Sequence, residues 1–429
     1  MTNVKVSFIQ NDWTKLKNVL TPDAREKFCI ALCRIEQAQL GENSYVKIIV
    51  RDIIETPESA YEIRTSTLLR ISAKYKKKII KLAVDEDCCV MTIHTHTNSV
   101  LAKFSTIDIE DDRKTVKEMF SQITNMALIS LVFNEDFSVF DGVYFSENGS
   151  FRVEKIVVYL MDELLILTRN GRRKTALKYD RSMRFYGKDF DRNSNVDAAV
   201  MGISGTGTII VDSLAKDGVK SICLIDMDTV KEENLNRLLK CTKADIGKFK
   251  VFKYRDEITK EDPAIEVYAF PQSIYEEEMQ KAISVSDIVF GCVDRNGPRL
   301  SLNRLAFSKM VAYVDIATGV DPKSNVFGGQ VHFLIPGKSG CFDCTKAFQD
   351  GYNDFLAIGM KHILEKHGYI KGEDLPNPAV LSLNLIASAV AYDLISRYIT
   401  GSFNEIFSES FLQLKKVHPR FLATLLQYY

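Results

Sequence analysis

The sequence predicts an α+β domain followed by an α/β domain with a doubly wound, Rossmann-like parallel sheet. Three observations support this. The 429 residues are enough for two or three ordinary domains. Strand and helix patterns alternate regularly only in the second half. A polar, basic stretch at residues 169–174 separates the halves. We therefore predict one domain over residues 1–168, a linker over 169–178 and a second domain over 179–429.

The first half mixes helix and strand patterns without regular alternation. Apolar residues at helical spacing after Thr21 and Pro22 predict a helix over residues 23–39. Other apolar patterns predict a second helix over 108–121 and strands over 45–54, 88–96, 126–133, 138–145 and 155–160. This order is typical of an α+β domain.

In the second half, strands and helices follow each other at short intervals. Strands are predicted over residues 196–203, 221–225, 265–270 and 287–292, and helices over 208–217, 248–259 and 276–284. Alternation at this spacing predicts a mainly parallel sheet with helices on both faces.

Composition and charge exclude some classes of partner. Lys+Arg and Asp+Glu both number 56, so no charge excess favours nucleic acid or an anionic membrane. The apolar stretch over residues 378–396 carries Asn384 and Asp393, which favours a buried or dimer-facing helix over a membrane span. The nine cysteines are odd in number and the start lacks a signal-peptide pattern, so we expect a reducing cytoplasm.

The first candidate site is a metal centre. His94 and His96 lie two apart on a predicted strand, so their side chains point to the same side and can hold one ion. Catalytic zinc takes three protein ligands, and Asp108 is the candidate third. Ser105 is placed to hydrogen-bond a tetrahedral intermediate, and Glu26 is the candidate base for the attacking water. Alternatively, the histidines are ordinary polar residues at a strand end.

These five residues resemble the JAMM motif of the MPN/JAB metalloprotease family, over roughly residues 1–165. That resemblance implies a zinc hydrolase that cleaves the bond after the C-terminal glycine of ubiquitin-like proteins. The sequence departs from the family pattern in two places. Thr97 stands where proline is usual, and the spacer from His96 to Ser105 is eight residues, one longer than the common form. Both departures follow the histidines, so they bear on substrate fit more than on zinc binding.

The second candidate site is a glycine loop that follows a predicted strand and opens a helix. Gly202, Gly205 and Gly207 let the backbone approach a phosphate, which the helix N-terminus also favours. Asp226 ends the next strand, where a carboxylate can bind ribose hydroxyls. A dehydrogenase would share these features, but the residues that follow do not fit one.

Three later segments resemble the ThiF/MoeB family, the ubiquitin-activating-enzyme superfamily: residues 233–237, 246–250 and 292–296. Residues 179–187 are similar to another motif of that family. The resemblance covers about residues 178–400 and implies ATP- and Mg²⁺-dependent adenylation of the C-terminal carboxylate of a ubiquitin-like protein. By the same resemblance, Asp226 binds ribose. The other implied roles are phosphate binding by Asn234, Arg237 and Lys250, Mg²⁺ binding by Asp294 and action across a homodimer by Arg181.

Two features of the second half bear on this resemblance. Ser204 stands where the family usually has glycine, which is tolerated if its φ is negative. Cys341 and Cys344 match the first half of a structural zinc clamp, but no cysteine follows them. We therefore expect a degenerate clamp held by packing, with His418 as a possible extra ligand. The predicted loop over residues 366–378 also lacks a nucleophilic cysteine, which leaves Cys241, Cys341, Cys344 or direct transfer to an acceptor.

The main functional hypothesis is that both centres act on one ubiquitin-like protein in a bacterial conjugation pathway. One centre would trim or remove its tail, and the other would activate the exposed carboxylate, with a separate conjugating enzyme as a further partner. One alternative is adenylation of a peptide by a protein whose first domain is a non-catalytic scaffold. Another is a nucleotide-binding scaffold that recruits a conjugating enzyme.

Overall fold

A computed structural model describes residues 1–21, 25–66, 68–96, 102–122, 126–169, 177–321, 326–345, 381–402, 409–415 and 422–427. The chain divides into two compact units. The N-terminal unit comprises Met1–Leu160 and Leu164–Arg173, and the C-terminal unit comprises Met161–Glu163 and Lys174–Tyr429. The boundary predicted near residue 170 lies beside this division.

The N-terminal unit is built on an eight-stranded sheet with the order β1-β3-β2-β6-β7-β8-β9-β10, and β1 also pairs with β9. A separate hairpin joins β4 and β5. Its elements are β1 (Thr2–Ile9), α1 (Gln10–Leu20), β2 (Phe28–Leu40), β3 (Asn43–Glu55), β4 (Tyr61–Arg64), β5 (Leu69–Ile71), α2 (Ala73–Asp85), β6 (Cys89–Thr95), α3 (Thr106–Gln122), β7 (Leu128–Phe133), β8 (Phe140–Ser146), β9 (Gly149–Tyr159) and β10 (Leu164–Thr168). Pairing of β1 with both β3 and β9 closes the sheet on itself.

The sheet is covered on both faces. On one face α1 contributes Trp13, Leu16 and Leu20 to a core that includes Ile93 and Leu131. On the other face α2 and α3 pack over a second core that includes Ile30, Ile79, Val90, Met119 and Leu128. The two faces therefore bury alternate residues of the same strands.

The helix predicted over residues 23–39 is wrong, because residues 28–40 form strand β2. Cys29 and Ala31 enter one core cluster, whereas Phe28, Ile30 and Leu32 enter the other. A strand buried on both faces is a continuous apolar run, and periodicity alone does not distinguish it from a buried helix. Burying each large side chain contributes about 2 kcal/mol, which outweighs the weak local preference for a helix.

The other elements predicted in the first half agree with the structure in type. The strand predicted over 45–54 is β3, that over 88–96 is β6, and the helix predicted over 108–121 is α3. The sequence analysis did not predict β1, α1, α2 or the β4–β5 hairpin.

The C-terminal unit contains a second eight-stranded sheet with the order β13-β12-β11-β14-β15-β16-β17-β18. Strands β11 to β15 are parallel, and β16 to β18 extend the sheet in antiparallel fashion. The elements are α4 (Asp180–Tyr186), β11 (Asp197–Met201), α5 (Gly205–Asp217), β12 (Ser221–Ile225), α6 (Lys250–Glu261), β13 (Glu266–Phe270), α7 (Glu277–Ser284), β14 (Ile288–Gly291), α8 (Asn296–Ser308), β15 (Ala312–Asp321), β16 (Val326–Leu334), α9 (Phe342–Thr345), α10 (Leu381–Thr400), β17 (Glu409–Lys415) and β18 (Leu422–Gln427).

This strand order confirms the predicted doubly wound arrangement. Strand β11 pairs with β12 on one side and with β14 on the other, so the strand order reverses between β11 and β14. The carboxyl ends of these two strands form the crevice where such folds bind ligands. All four predicted strands and all three predicted helices of the second half are present, with bounds that differ by a few residues.

Helix α10 covers most of the apolar stretch that was predicted to be a buried or dimer-facing helix. It buries Leu383, Ala387, Ala391 and Ile395, while Leu385 is 40% exposed. Tyr392 donates a hydrogen bond to the Ser213 carbonyl of α5 at 3.2 Å. In the part of the chain that the structure describes, no helix is long and apolar enough to cross a membrane.

Candidate metal centre and nucleotide site

The two histidines lie at the end of β6, on the sheet face covered by α3. His94 Nε2 is 3.3 Å from His96 Nε2. The nearer carboxylate oxygen of Asp108, Oδ2, lies 3.8 Å from His94 Nε2 and 3.9 Å from His96 Nε2. Among the described residues, these three are the group whose ligand atoms all lie within 4.8 Å of one another.

This geometry fits zinc. Two nitrogens at about 2.0–2.1 Å from a tetrahedral zinc ion lie roughly 3.3 Å apart, which is the separation of the two Nε2 atoms. The carboxylate oxygen lies about half an ångström farther from the two nitrogens than a zinc ligand would. Three ligands of two histidines and one carboxylate leave the fourth position open, as in catalytic zinc sites.

Ser105 positions Asp108 in this structure. The Ser105 backbone N–H and hydroxyl both donate to Asp108 Oδ2, at 2.8 and 2.7 Å, and the Asp108 N–H donates back to Ser105 Oγ at 3.2 Å. This reciprocal pattern is a capping box at the start of α3. The hydroxyl expected to bond a tetrahedral intermediate therefore holds the carboxylate here. Thr97, one of the two departures from the family pattern, lies outside the described residues.

Glu26 lies across from the histidines because of the strand register. Antiparallel pairing places Phe28 of β2 opposite His94, and the same register carried two residues further brings Glu26 towards His96. The Thr95 N–H continues this ladder by donating to the Lys27 carbonyl at 3.2 Å. As a result, Glu26 Oε1 lies 4.0 Å from His96 Nε2.

The β4–β5 hairpin holds Glu26 by its backbone, a feature the sequence analysis missed. The Glu26 N–H donates to the Thr65 carbonyl at 2.9 Å, and Arg64 Nε donates to the Glu26 carbonyl at 3.0 Å. The Tyr61 hydroxyl donates to the Phe28 carbonyl at 3.1 Å and accepts from its N–H at 3.2 Å. Arg64 and Tyr61 are identified as supporting residues only by these contacts, because no pattern in the sequence links them to Glu26.

Burial sets the protonation of this site. It raises the pKa of Glu26 to about 7, and the negative charge of Asp108 adds to that rise. Burial also lowers the pKa of His94 to about 4 and lowers the pKa of His96, although Asp108 opposes both shifts. Both imidazoles are therefore neutral near pH 7, which is the form that binds a metal. A carboxyl group with a pKa near neutrality suits a general base.

In the C-terminal unit, the glycine loop lies at the switch point of the sheet. Gly202 has φ +92, and a Cβ there would lie 2.5 Å from the Cys292 carbonyl oxygen. A Cβ on Gly207 would lie 1.9 Å from the Gly202 carbonyl oxygen, so the loop folds tightly on itself. Ser204 has φ −136, so it occupies the position without strain. The loop leads directly into α5, whose first turn presents backbone N–H groups for a phosphate.

Asp226 and Lys250 meet beside this loop. Asp226 accepts backbone N–H groups from Ile203 at 2.7 Å and from Asp228 at 2.8 Å, one on each carboxylate oxygen. Each oxygen keeps a further lone pair that can accept a ribose hydroxyl. Lys250 Nζ is buried, 2.9 Å from Asp228 Oδ2 and 3.7 Å from Asp226 Oδ2. The ammonium group therefore lies between two carboxylates in this structure. Asp228 is a partner that sequence reasoning did not assign.

The other predicted nucleotide residues differ in how the structure places them. Arg237 lies at the loop, since its Cδ is 3.5 Å from the Cβ position of Gly205. Asp294 is exposed and follows Val293, whose Cγ1 is 3.0 Å from the Cβ position of Gly202.

Asn234 and Arg181 are not shown at the loop. Asn234 is buried and accepts the Lys231 N–H at 3.2 Å through its side chain, as a cap. Arg181 is exposed on α4. The contacts described within one chain do not bring either residue to the glycine loop.

Helix α10 supports the loop from behind, through residues that carry no sequence motif. Asn384 is buried, and its Nδ2 lies 2.1 Å from where a Cβ on Gly205 would be. Thr318 of β15 donates to Asn384 Oδ1 at 3.0 Å and fixes the amide. Ser388, one turn further along, donates to the Thr206 carbonyl at 3.2 Å. These contacts make α10 part of the site.

The cysteine pair lies at the start of α9, with the two Sγ atoms 3.4 Å apart. Cys341 is half-buried and Cys344 is exposed. His418 and the loop over residues 366–378 lie outside the described residues. Cys241, the remaining thioester candidate, has its thiol pKa raised to about 11, chiefly by burial. That thiol is a poor nucleophile at neutral pH.

The sequence profile of the ThiF family matches residues 179–426. Among curated relatives, ubiquitin-like modifier-activating enzyme 5 of Dictyostelium discoideum is 24% identical over 169 residues, covering 37% of this chain and 43% of the relative. Molybdopterin-synthase adenylyltransferase of Escherichia coli (strain K12) is 30% identical over 141 residues, covering 32% of this chain and 57% of the relative. The chain thus spans less than two thirds of the length of these relatives.

Two of the solved structures similar to this chain are MccB and PaaA. E. coli MccB with ATP superposes at a TM-score of 0.45 and 14% identity, covering 93% of this chain and 97% of that one. PaaA superposes at a TM-score of 0.47 and 19% identity, covering 62% of this chain and 88% of that one.

Proposed function

Because the chain belongs to the ThiF family, we propose that its C-terminal unit adenylates the C-terminal carboxylate of a ubiquitin-like protein. We propose further that the N-terminal unit is a zinc-dependent peptidase that processes the same partner. The observation that supports the peptidase is the close spacing of His94, His96 and Asp108, with Glu26 beside them. A scaffold domain has no need to bring two histidines within 4.0 Å of two carboxylates.

In the proposed peptidase, His94, His96 and Asp108 would hold zinc, which would supply Lewis acidity at this site. Glu26 Oε1 takes the proton of the attacking water and then passes it to the leaving amine. Ser105 keeps Asp108 oriented through its two hydrogen bonds. The Arg64 and Thr65 contacts keep Glu26 at the same site.

In the proposed adenylation, attack of a carboxylate on the α-phosphate brings anions together and expels pyrophosphate. Arg237 and Lys250 offset that charge, and Asp226 binds the ribose hydroxyls. Lys250 would exchange its bond to Asp228 for the phosphates. Mg²⁺ would lie at Asp294, since this ion is commonly held by one or two carboxylates together with substrate phosphates. We propose that Arg181 acts across a homodimer.

Metal analysis tests the peptidase half. Purified wild type is compared with His94→Ala/His96→Ala and with Cys341→Ala/Cys344→Ala. We expect about one zinc per chain, lost only in the histidine variant, because a catalytic site needs three protein ligands and two are removed. Zinc lost only from the cysteine variant would contradict the peptidase. It would favour the alternative, a peptide adenylating enzyme with a non-catalytic N-terminal unit.

A further inference from the structure

We propose that a small cavity beside the candidate zinc centre is a specificity pocket. It binds an apolar side chain of the substrate tail, and its rim favours an acidic residue beside that side chain in the substrate. The pocket rests on the proposed peptidase function and adds the substrate's chemistry to it. It lies wholly in the N-terminal unit, between α3 and strands β8 and β9, and has a volume of about 150 Å³.

The cavity is close enough to the metal ligands to bind the same peptide. Phe104 lines it, and the Phe104 ring lies edge-on to the His94 ring at 6.0 Å between centroids. An extended peptide advances about 3.3 Å per residue. Because Phe104 contacts both, an extended peptide a few residues long can reach the cavity and the metal ligands together.

Its size and lining select one side chain. Drug-sized ligands and cofactors occupy roughly 300–1,000 Å³, so the 150 Å³ cavity is too small for a second cofactor. Phe104, Ile109, Val143, Phe145 and Phe151 make most of the wall apolar. Moving a leucine-sized side chain from water into such a wall strengthens binding by about tenfold or more.

The rim carries an excess of positive charge. Arg113 and Arg152 both line the cavity and are exposed to solvent. Arg152 pairs with Asp141 at 3.2 Å, but Asp141 is shared with Arg169 at 3.1 Å, so one carboxylate faces two guanidinium groups. The acidic residue of the lining, Asp112, accepts a hydrogen bond from the Ser130 hydroxyl of β7. An acidic neighbour on the substrate would therefore meet a favourable field at the rim.

Peptide binding tests the pocket separately from cleavage. The probe is a set of fluorescein-labelled heptapeptides of glycine and serine, in which one leucine is moved along the chain and is flanked by either glutamate or arginine. Anisotropy is measured on the full-length, zinc-loaded Glu26→Gln protein, which retains the ligands but lacks the base. We expect a leucine at the best position to bind about tenfold tighter than glycine. Glutamate beside it should bind roughly threefold tighter than arginine.

A matched pair of variants assigns the charge preference. Arg113→Gln should abolish the preference for glutamate, whereas Lys114→Gln, an equal charge change on the next residue of α3 outside the cavity, should leave it intact. Phe151→Ala should remove the preference for leucine. Equal binding of the glutamate and arginine peptides, or equal effects of Arg113→Gln and Lys114→Gln, would overturn the pocket. If the preferences hold but the zinc-loaded wild type leaves every peptide uncut, the peptidase proposal fails and the pocket stands.

Discussion

Glu26 illustrates at the residue scale how a candidate chosen from an incorrect local structure can still lie beside the histidines. The sequence placed it on a helix, where any face supplies glutamates. In the structure it comes two residues before Phe28, which pairs with His94, and its Oε1 lies 4.0 Å from His96 Nε2. Residue type and order pointed to Glu26, but only strand register explains its position.

Glu26→Gln should lower peptide cleavage by at least about 100-fold while zinc content stays at the wild-type level, because the amide cannot accept the proton of water. Glu62→Gln, on the neighbouring strand β4, is the control and should cleave normally. Cleavage rates on the fluorescent peptides and metal analysis of the same samples decide the outcome. Retained cleavage in Glu26→Gln would remove this residue from the proposed mechanism.

Arg64 makes a second residue-scale prediction, because it acts through Glu26 and does not reach the metal ligands in the contacts described. Arg64→Ala removes the bond to the Glu26 carbonyl, a contribution of about 1 kcal/mol. We expect kcat to fall roughly tenfold with KM and zinc content little changed, and Arg64→Lys to recover part of it. Arg70→Ala, on the same hairpin, is the matched control. If Arg64→Ala lowers the free energy of unfolding by as much as it raises the activation free energy calculated from kcat, Arg64 is instead a structural residue.

At the scale of elements, helix α10 and the glycine loop determine each other's shape. The sequence predicted a buried helix and a phosphate loop separately, and nothing in either pattern joined them. In the structure Asn384 occupies the space that a side chain at position 205 would need. Tertiary packing therefore gives the physical reason why position 205 of the loop requires glycine.

Gly205→Ala should lower the free energy of unfolding by about 1–3 kcal/mol, because the new Cβ would overlap Asn384 Nδ2. Asn384→Ala combined with it should restore much of that loss, since the obstacle is a side chain. Gly202→Ala is the contrast: its obstacle is the Cys292 backbone and its φ is +92, so Asn384→Ala should not rescue it. Thermal unfolding of the four variants checks this, and equal rescue at both positions would contradict it.

At the scale of the whole molecule, the two proposed chemistries lie in separate compact units, the peptidase centre in one and the nucleotide site in the other. No described residue serves both sites. The proposed functions should therefore be separable by single substitutions.

Lys250→Met should weaken binding of ATP with Mg²⁺ by about tenfold or more, because a charge-assisted bond to phosphate is worth roughly 1.5–3 kcal/mol. Its zinc content and peptide cleavage should match those of wild type, and Glu26→Gln should show the opposite pattern. Lys260→Met, on the exposed side of the same helix, is the control. Calorimetric titration of ATP and the cleavage assay decide the outcome. Loss of both activities in Lys250→Met would show that the two sites are not separable.

By itself the sequence determined the fold class and the family of the second half, and it proposed the candidate residues of both sites. It could do so because short motifs and strand–helix alternation are local signals. Only the tertiary structure decided that residues 28–40 form a strand, that Glu26 faces His96, and that Lys250 lies between Asp226 and Asp228. These depend on register and packing between residues distant in sequence, and the burial of both faces of a strand leaves no periodicity for a sequence to reveal.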